Sequence, residues 1–225
     1  MKTILDALYN FLNQHPPALD IYKMLECAGD LYLIGGALRE YKDRGDIKEL
    51  RDIDVIIDIS SKNVWEELLQ NYVPAKNCFG GYKVLCGNLI FDVWILSETW
   101  AYREKIISCN PEEYIKHLPE TVFLNLDAIV CDVKRNIWYD QKYREAMQNM
   151  IIDVVLEENP QILLNIVRAF ILKKRYTMSF SDKLMSIIKD TRALNKDFIG
   201  SLMQIQKKRY KEIIIEQREI EDILV

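Results

Sequence analysis

Histidine is almost missing from this chain, with only His15 and His117 among 225 residues. The five cysteines, Cys27, Cys78, Cys86, Cys109 and Cys131, are widely spaced and include no Cys-x-x-Cys pair. A zinc centre built from these donors is therefore not expected, and reduced, mostly buried thiols are. No stretch approaches the roughly 18 consecutive apolar residues of a membrane span. The N-terminal MKTILDALYNFLNQ interrupts its apolar run at Asp6, Asn10 and Asn13 and has no small-residue cleavage site. A secretory leader is thus not expected, and a cytoplasmic location is. An excess of positive charge is also lacking: the net charge is −4 and the pI about 5.4. That balance weighs against a long nucleic-acid partner gripped through its phosphates. Lys173-Lys174-Arg175 and Lys207-Lys208-Arg209 are followed by acids and read as solvated helix faces.

What is present is an ordinary globular balance, 49% hydrophobic and 28% charged, enough for a sizeable core. Ile4, Leu5, Leu8, Phe11 and Leu12 recur at helical spacing, predicting a helix over 3–14 ended by His15-Pro16-Pro17. A second helix is predicted over 18–28, broken by Gly29-Asp30. Leu31–Ile34 reads as a buried strand entering the tight turn Gly35-Gly36, followed by a helix over 37–43 and a polar loop over 44–51. From 52 to 59 the apolar residues Ile53, Val55, Ile57 and Ile59 share one parity, and Asp52, Asp54, Asp58 and Ser60 the other, with Ile56 the exception. That period of two is a strand. Residues 61–71 read as a helix capped by Ser60 or Ser61. Two β-prone runs, 82–85 and 89–96, are joined by Gly87-Asn88 and predict a hairpin. Beyond 141 helical patterns dominate. A mixed α/β head over 1–140 and a helical region over 141–225 are expected.

The chemistry concentrates between Leu31 and Asp58. A strand ending in Gly35-Gly36 lets backbone approach a ligand closely, and a helix starting there aims free N–H groups at the same spot, which suits phosphate. Alternation puts Asp52 and Asp54 on one strand face, where hard cations can share their oxygens. Asp92 lies in the otherwise apolar run Phe91-Asp92-Val93-Trp94, where a charge is costly unless paired or metal-bound. Three carboxylates on adjacent strands can hold two Mg²⁺ ions, or Mn²⁺, bridging a triphosphate and activating a hydroxyl. Trp94, Trp100 and Tyr102 suit base stacking or core equally. Arg103 and His117 are further polar candidates; Asn125, Asp127 and Asp132 are either neighbours of the site or turn residues, with the turn reading favoured.

These residues resemble the head of the polymerase-beta-like nucleotidyltransferase superfamily, most closely the branch of tRNA CCA-adding enzymes and bacterial poly(A) polymerases. That branch runs G-G-x-x-R-D, a variable loop, then D-I-D. Gly35-Gly36-Ala37-Leu38-Arg39-Glu40 and Arg51-Asp52-Ile53-Asp54 match with closely similar spacing, with Glu40 at the family's aspartate. The resemblance implies an α+β fold, a mixed sheet with flanking helices and a helical neck-like C-terminal region. It implies contacts of Gly35, Gly36 and Arg39 with the triphosphate, metal on Asp52 and Asp54, and Asp92 as the third carboxylate. Val122–Ala128 is similar to the F-T-I-N-A-x-A strand, with Asn125 at the asparagine. Glu158–Ala169 is similar to the neck helix E-D-P-x-R-x-L-R-A-x-R-F, and Arg168 is the arginine retained for nucleotide binding. Departures accompany these matches: Glu120-Thr121 replaces Arg-Asp, and Asn159, Ile162 and Asn165 replace the family's base-reading acid and arginines. No counterpart of a tRNA-gripping body and tail is expected, so CCA addition itself is not.

The resulting expectation is a metal-dependent nucleotidyltransferase that moves a nucleoside monophosphate from a triphosphate such as ATP to a hydroxyl. The acceptor is an RNA end, a small molecule or a protein. The alternative is a non-catalytic nucleotide-binding or interaction protein of the same fold, such as a toxin–antitoxin or defence component. In either case Ile213, Ile214, Ile220, Ile223 and Leu224 offer an apolar face for the head, a homodimer or a protein partner.

Overall fold

The computed structural model describes residues 2–77 and 79–224, so Cys78 lies outside the described residues. Two compact units emerge. The first comprises residues up to Thr121 with Asp127–Gln141, the second Val122–Leu126 with the chain from Lys142 onward.

The first unit opens with α1 (Ile4–Leu12), started by a capping box in which Thr3 and Asp6 exchange side-chain and backbone hydrogen bonds. The two prolines after it do not merely end α1: α2 (Pro16–Ala28) begins on them, where a missing N–H leaves no helical bond unmade. Strand β1 (Gly29–Ile34) likewise starts earlier than the apolar run predicts. A Cβ on Gly29 would stand 2.1 Å from the Asp58 carbonyl oxygen, so glycine there admits the neighbouring strand instead of breaking the chain. Helix α3 (Gly36–Arg44) and strand β2 (Asp52–Ile59) follow, then α4 (Lys62–Tyr72), whose N-cap residue Ser61 makes no side-chain capping bond. Next come β3 (Ala75–Lys76), β4 (Tyr82–Cys86) and β5 (Leu89–Ile95), the last two forming the predicted hairpin. The short helices α5 (Trp100–Arg103) and α6 (Tyr114–His117) lead to β6 (Val130–Asp132) and β7 (Ile137–Tyr139).

The seven strands order as β3-β4-β5-β2-β1-β6-β7. Among the described residues of this sheet, only β2 and β5 pair in parallel, a crossover made by α4 and the hairpin. On one face Leu33, Ile53, Val55, Ile57, Phe91 and Val93 are buried, with α2 packed on β1, β4 and α4. On the other, Tyr32 and Ile56 pack with Leu96, Tyr102, Leu118 and Val130. The second cluster accounts for Ile56, which breaks the alternation because both faces of β2 are covered at that point.

The second unit contains α7 (Gln141–Asn149), the parallel pair β8 (Ile151–Ile152) and β9 (Ser179–Phe180), and α8 (Ile162–Tyr176). It continues with α9 (Asp182–Leu194), α10 (Phe198–Tyr210) and α11 (Gln217–Ile223). The expected strand over 122–128 is not formed. Leu124 makes one isolated antiparallel bridge to Val154, and Asn125–Asp127 tighten into a 3₁₀ turn, as short polar side chains favour. The return from α10 to α11 is held by buried Gln206, whose Oε1 accepts the backbone N–H of Ile214 and Ile215 while Nε2 donates to the Ile215 carbonyl. Ile215, Ile220 and Leu224 are buried. No helix among the described residues is long and apolar enough to cross a membrane.

Cys86 and Cys131 are buried as expected, whereas Cys27 is exposed. Burial pushes the Cys131 thiol up to about 12 and Cys86 to about 11, and it pushes the Tyr32 phenol up to about 12. Above about pH 9 the unfolded chain releases protons that these folded groups keep, so stability falls as pH rises; below that it is fully present. The urea midpoint is expected to drop between pH 7 and pH 10. A midpoint that stays constant over that range would contradict the burial of these groups.

Candidate functional site

Strand register sets the site. Val130, Ile34, Asp54, Asp92 and Lys83 are successive partners across β6, β1, β2, β5 and β4. Residues paired in register project to the same side of a sheet, so Asp54, Asp92 and Lys83 form a polar row on one face. Asp52 lies one row away beside Ile90 and Leu85, and Tyr32, Ile56 and Trp94 form the apolar row on the other side. The register thus puts Asp52, Asp54 and Asp92 on one face of the sheet.

The glycine turn abuts the row. Gly35 has φ +69°, and a Cβ there would stand 3.3 Å from Oδ2 of Asp54. Helix α3 starts at the next residue, so its free N–H groups open beside the Asp54 carboxylate. Arg39 lies one turn into α3. Its Nη1 is hydrogen-bonded to Asp127 Oδ1, and the pair is mostly buried, with side chains 12% and 9% exposed. Its Nη2 lies 3.9 Å from a Cβ built on Gly36, so the guanidinium sits over the turn.

Glu40 does something different from a phosphate-side acid. It is buried, and its Oε1 accepts the backbone N–H groups of Lys48 (3.1 Å) and Glu49 (3.2 Å). It thereby ties down the polar loop that delivers Asp52, and the longer side chain reaches amides eight and nine residues on. Glu40→Ala is expected to speed hydrogen exchange at the Lys48 and Glu49 amides by on the order of tenfold, since each lost bond is worth about 1 kcal/mol. Unchanged protection would remove this role.

The three carboxylates differ in their surroundings. Asp52 is half-buried and meets Arg51, whose Nε (3.1 Å) and Nη2 (2.6 Å) both reach Oδ2. Asp54 is half-buried at the centre. Asp92 is only 4% exposed, and Lys83 Nζ lies 2.5 Å from its Oδ1 and 2.6 Å from its Oδ2. Magnesium is commonly held by one or two carboxylates plus substrate phosphates. Asp52 and Asp54, two oxygen donors on one strand face beside a turn that Asp54 touches, fit one such ion. Asp92 does not extend them into a larger set: among the described residues no group of three or more His, Cys, Asp and Glu is placed to hold a metal.

The remaining candidates divide clearly. Tyr102 is buried, stacked on Tyr114 with its hydroxyl donating to the Tyr114 carbonyl at 2.6 Å, and Trp100 packs edge-on to Phe79. Arg103 binds Glu104 and the Phe79 carbonyl, and His117 pairs with Glu120. Asp132 pairs with Arg135, which also reaches Asp30. Asn125, in the second unit, donates to the Ile151 carbonyl at 2.9 Å, and Arg168 lies half-buried on α8 of that unit. The sequence pattern names Asp127 as a site neighbour or a turn residue, and it does not single out Lys83.

No family model and no curated protein sequence matches the chain. Solved structures do. A CCA-adding enzyme in complex with ATP matches with a TM-score of 0.58 at 16% identity, over 95% of this chain and 52% of that one. A tRNA-processing enzyme in an apo form matches with 0.54 at 18%, over 91% and 55%. A tRNA nucleotidyltransferase complexed with a primer tRNA and an incoming ATP analog gives 0.54 at 19%, over 86% and 56%. The chain thus spans about half the length of the structures it matches. At these identities the likeness establishes the fold, an α+β mixed sheet with flanking helices like that of the tRNA nucleotidyltransferases.

Proposed function

We propose that this chain is a divalent-cation-dependent nucleotidyltransferase that transfers a nucleoside monophosphate from a triphosphate to a hydroxyl and releases pyrophosphate. The observation that carries the reading is the seating of Asp54: a direct partner of Asp92 across parallel strands, with its carboxylate against the Gly35 turn that opens α3. In the reaction the acceptor oxygen bonds to the α-phosphorus, the bond from that phosphorus to the pyrophosphate oxygen breaks, and the hydroxyl proton passes to solvent. The turn and the N-terminus of α3 receive the triphosphate through backbone N–H groups, with Arg39 held above Gly36 on the same side. Asp52 and Asp54 would hold one Mg²⁺ or Mn²⁺, which supplies charge neutralisation at the phosphates when bound. Asp92 faces the acceptor side of the row.

Base choice is expected to differ from that of CCA-adding enzymes. Asn159, Ile162 and Asn165 stand where that family carries its base-reading acid and arginines, and Asn165 is buried. The acceptor is an RNA end, a small molecule or a protein side chain. The second reading, a nucleotide-binding protein without turnover, draws support from the Lys83 contact to Asp92. One experiment separates them: the wild type and Asp52→Ala/Asp54→Ala are incubated with each α-³²P nucleotide and Mg²⁺, with total RNA and cell extract as acceptors. Label transferred by the wild type alone supports transfer and identifies base and acceptor. Nucleotide binding without transfer favours the second reading, and no nucleotide binding refutes both.

A further inference from the structure

A third carboxylate beside Asp52 and Asp54 would normally complete a second cation site, yet here both its oxygens are taken. Lys83 is the direct cross-strand partner of Asp92, and its Nζ sits at 2.5 and 2.6 Å from the two carboxylate oxygens. The Asp92 side chain is 5% exposed and that of Lys83 33%, so the ammonium closes the solvent side of a nearly buried acid. The row ends one strand further on at Ala75. We infer that Lys83 is a built-in counter-ion at Asp92 that takes the place of a second divalent cation, so that the site works with a single metal ion at Asp52 and Asp54.

The chemistry of the donors supports this. An ammonium is a compact point charge with three donors, and two of them satisfy both oxygens of Asp92. A divalent ion coordinated to Asp92 would need an oxygen at about 2.0–2.1 Å, which requires the ammonium to leave or to stand beside a dication. Repulsion at that range, in a site shielded from solvent, weakens the second ion by on the order of a hundredfold or more. Lys83 is thus a positioning residue: it fixes the Asp92 carboxylate and supplies one positive charge on the acceptor side of the row.

This inference rests on the nucleotidyltransferase reading, and its test distinguishes the two. Mn²⁺ bound per chain is counted by equilibrium dialysis with a saturating non-hydrolysable α,β-methylene triphosphate, and the bound ions are examined by electron paramagnetic resonance. The expected result is one Mn²⁺ in the wild type with an isolated-ion spectrum. Lys83→Met and Lys83→Gln are expected to bind two, with the spin-coupled spectrum of a close Mn²⁺ pair. Two ions in the wild type would overturn the inference without any variant, and so would one ion in both variants once circular dichroism shows them folded. No Mn²⁺–nucleotide binding in the wild type would overturn the parent reading as well.

Discussion

Asp54→Asn is expected to lower nucleotidyl transfer by on the order of a thousandfold while leaving the fold intact. Single groups that stabilise developing charge in a preorganised site are worth about 10²–10³ in rate, and Asp54 combines that position with metal binding. Its carboxylate stands at the centre of the row, so close to the turn that a Cβ added at Gly35 would lie 3.3 Å from Oδ2. Asparagine keeps the shape and removes the charge, so packing against the turn is retained. Asp52→Asn is expected to be milder, since Asp52 lies one row out and already shares its Oδ2 with Arg51. Single-turnover rates under saturating nucleotide check the pair. An Asp54→Asn enzyme that keeps a tenth of wild-type transfer would refute the central role of this carboxylate, and equal losses at both positions would refute the ranking.

The polar row shows how far period-two arithmetic reaches. Alternation alone puts Asp52 and Asp54 on one face, and the Gly87-Asn88 turn fixes the hairpin so that Cys86 meets Leu89 and, three pairs on, Lys83 meets Asp92. The same turn thus sets the Lys83–Asp92 register, but nothing local marks the Lys83 ammonium as the ion-pair partner of Asp92. Glu40 is not legible, because nothing local indicates that its side chain reaches amides eight and nine residues on. Gly29 and the prolines at 16 and 17 mislead for a related reason. Their local meaning as breakers depends on what lies opposite: a neighbouring carbonyl for Gly29, a helix N-terminus for the prolines. Asp127 is a long-range partner 88 residues from Arg39 in sequence, and pairing over that distance leaves no periodic trace.

The same pair yields the second large effect: Asp127→Ala is expected to destabilise the first unit by about 3 kcal/mol. Removing one member of a mostly buried ion pair costs about 3–5 kcal/mol, and the lower end applies because Arg39 retains some exposure. For a chain of this size that is a fall in the melting temperature of about 6–12 °C. The loss should spread to the glycine turn. Just past the 3₁₀ turn the Asp127 carbonyl accepts the Ile129 N–H, and the Ile129 carbonyl in turn accepts the Gly35 N–H. The turn is thus held twice, by backbone through Ile129 and by side chain through Arg39. Replacing both charges by apolar residues, Arg39→Met with Asp127→Leu, should recover most of the stability, because well-packed substitutes for a buried pair are often neutral. Nucleotide affinity then separates the two roles of Arg39. If the guanidinium contributes charge to the triphosphate, the double variant regains its melting temperature but binds nucleotide roughly tenfold more weakly, a loss of about 1.4 kcal/mol. Recovery of both would make Arg39 a structural strut for the turn, and recovery of neither would show that the turn cannot form without the ion pair.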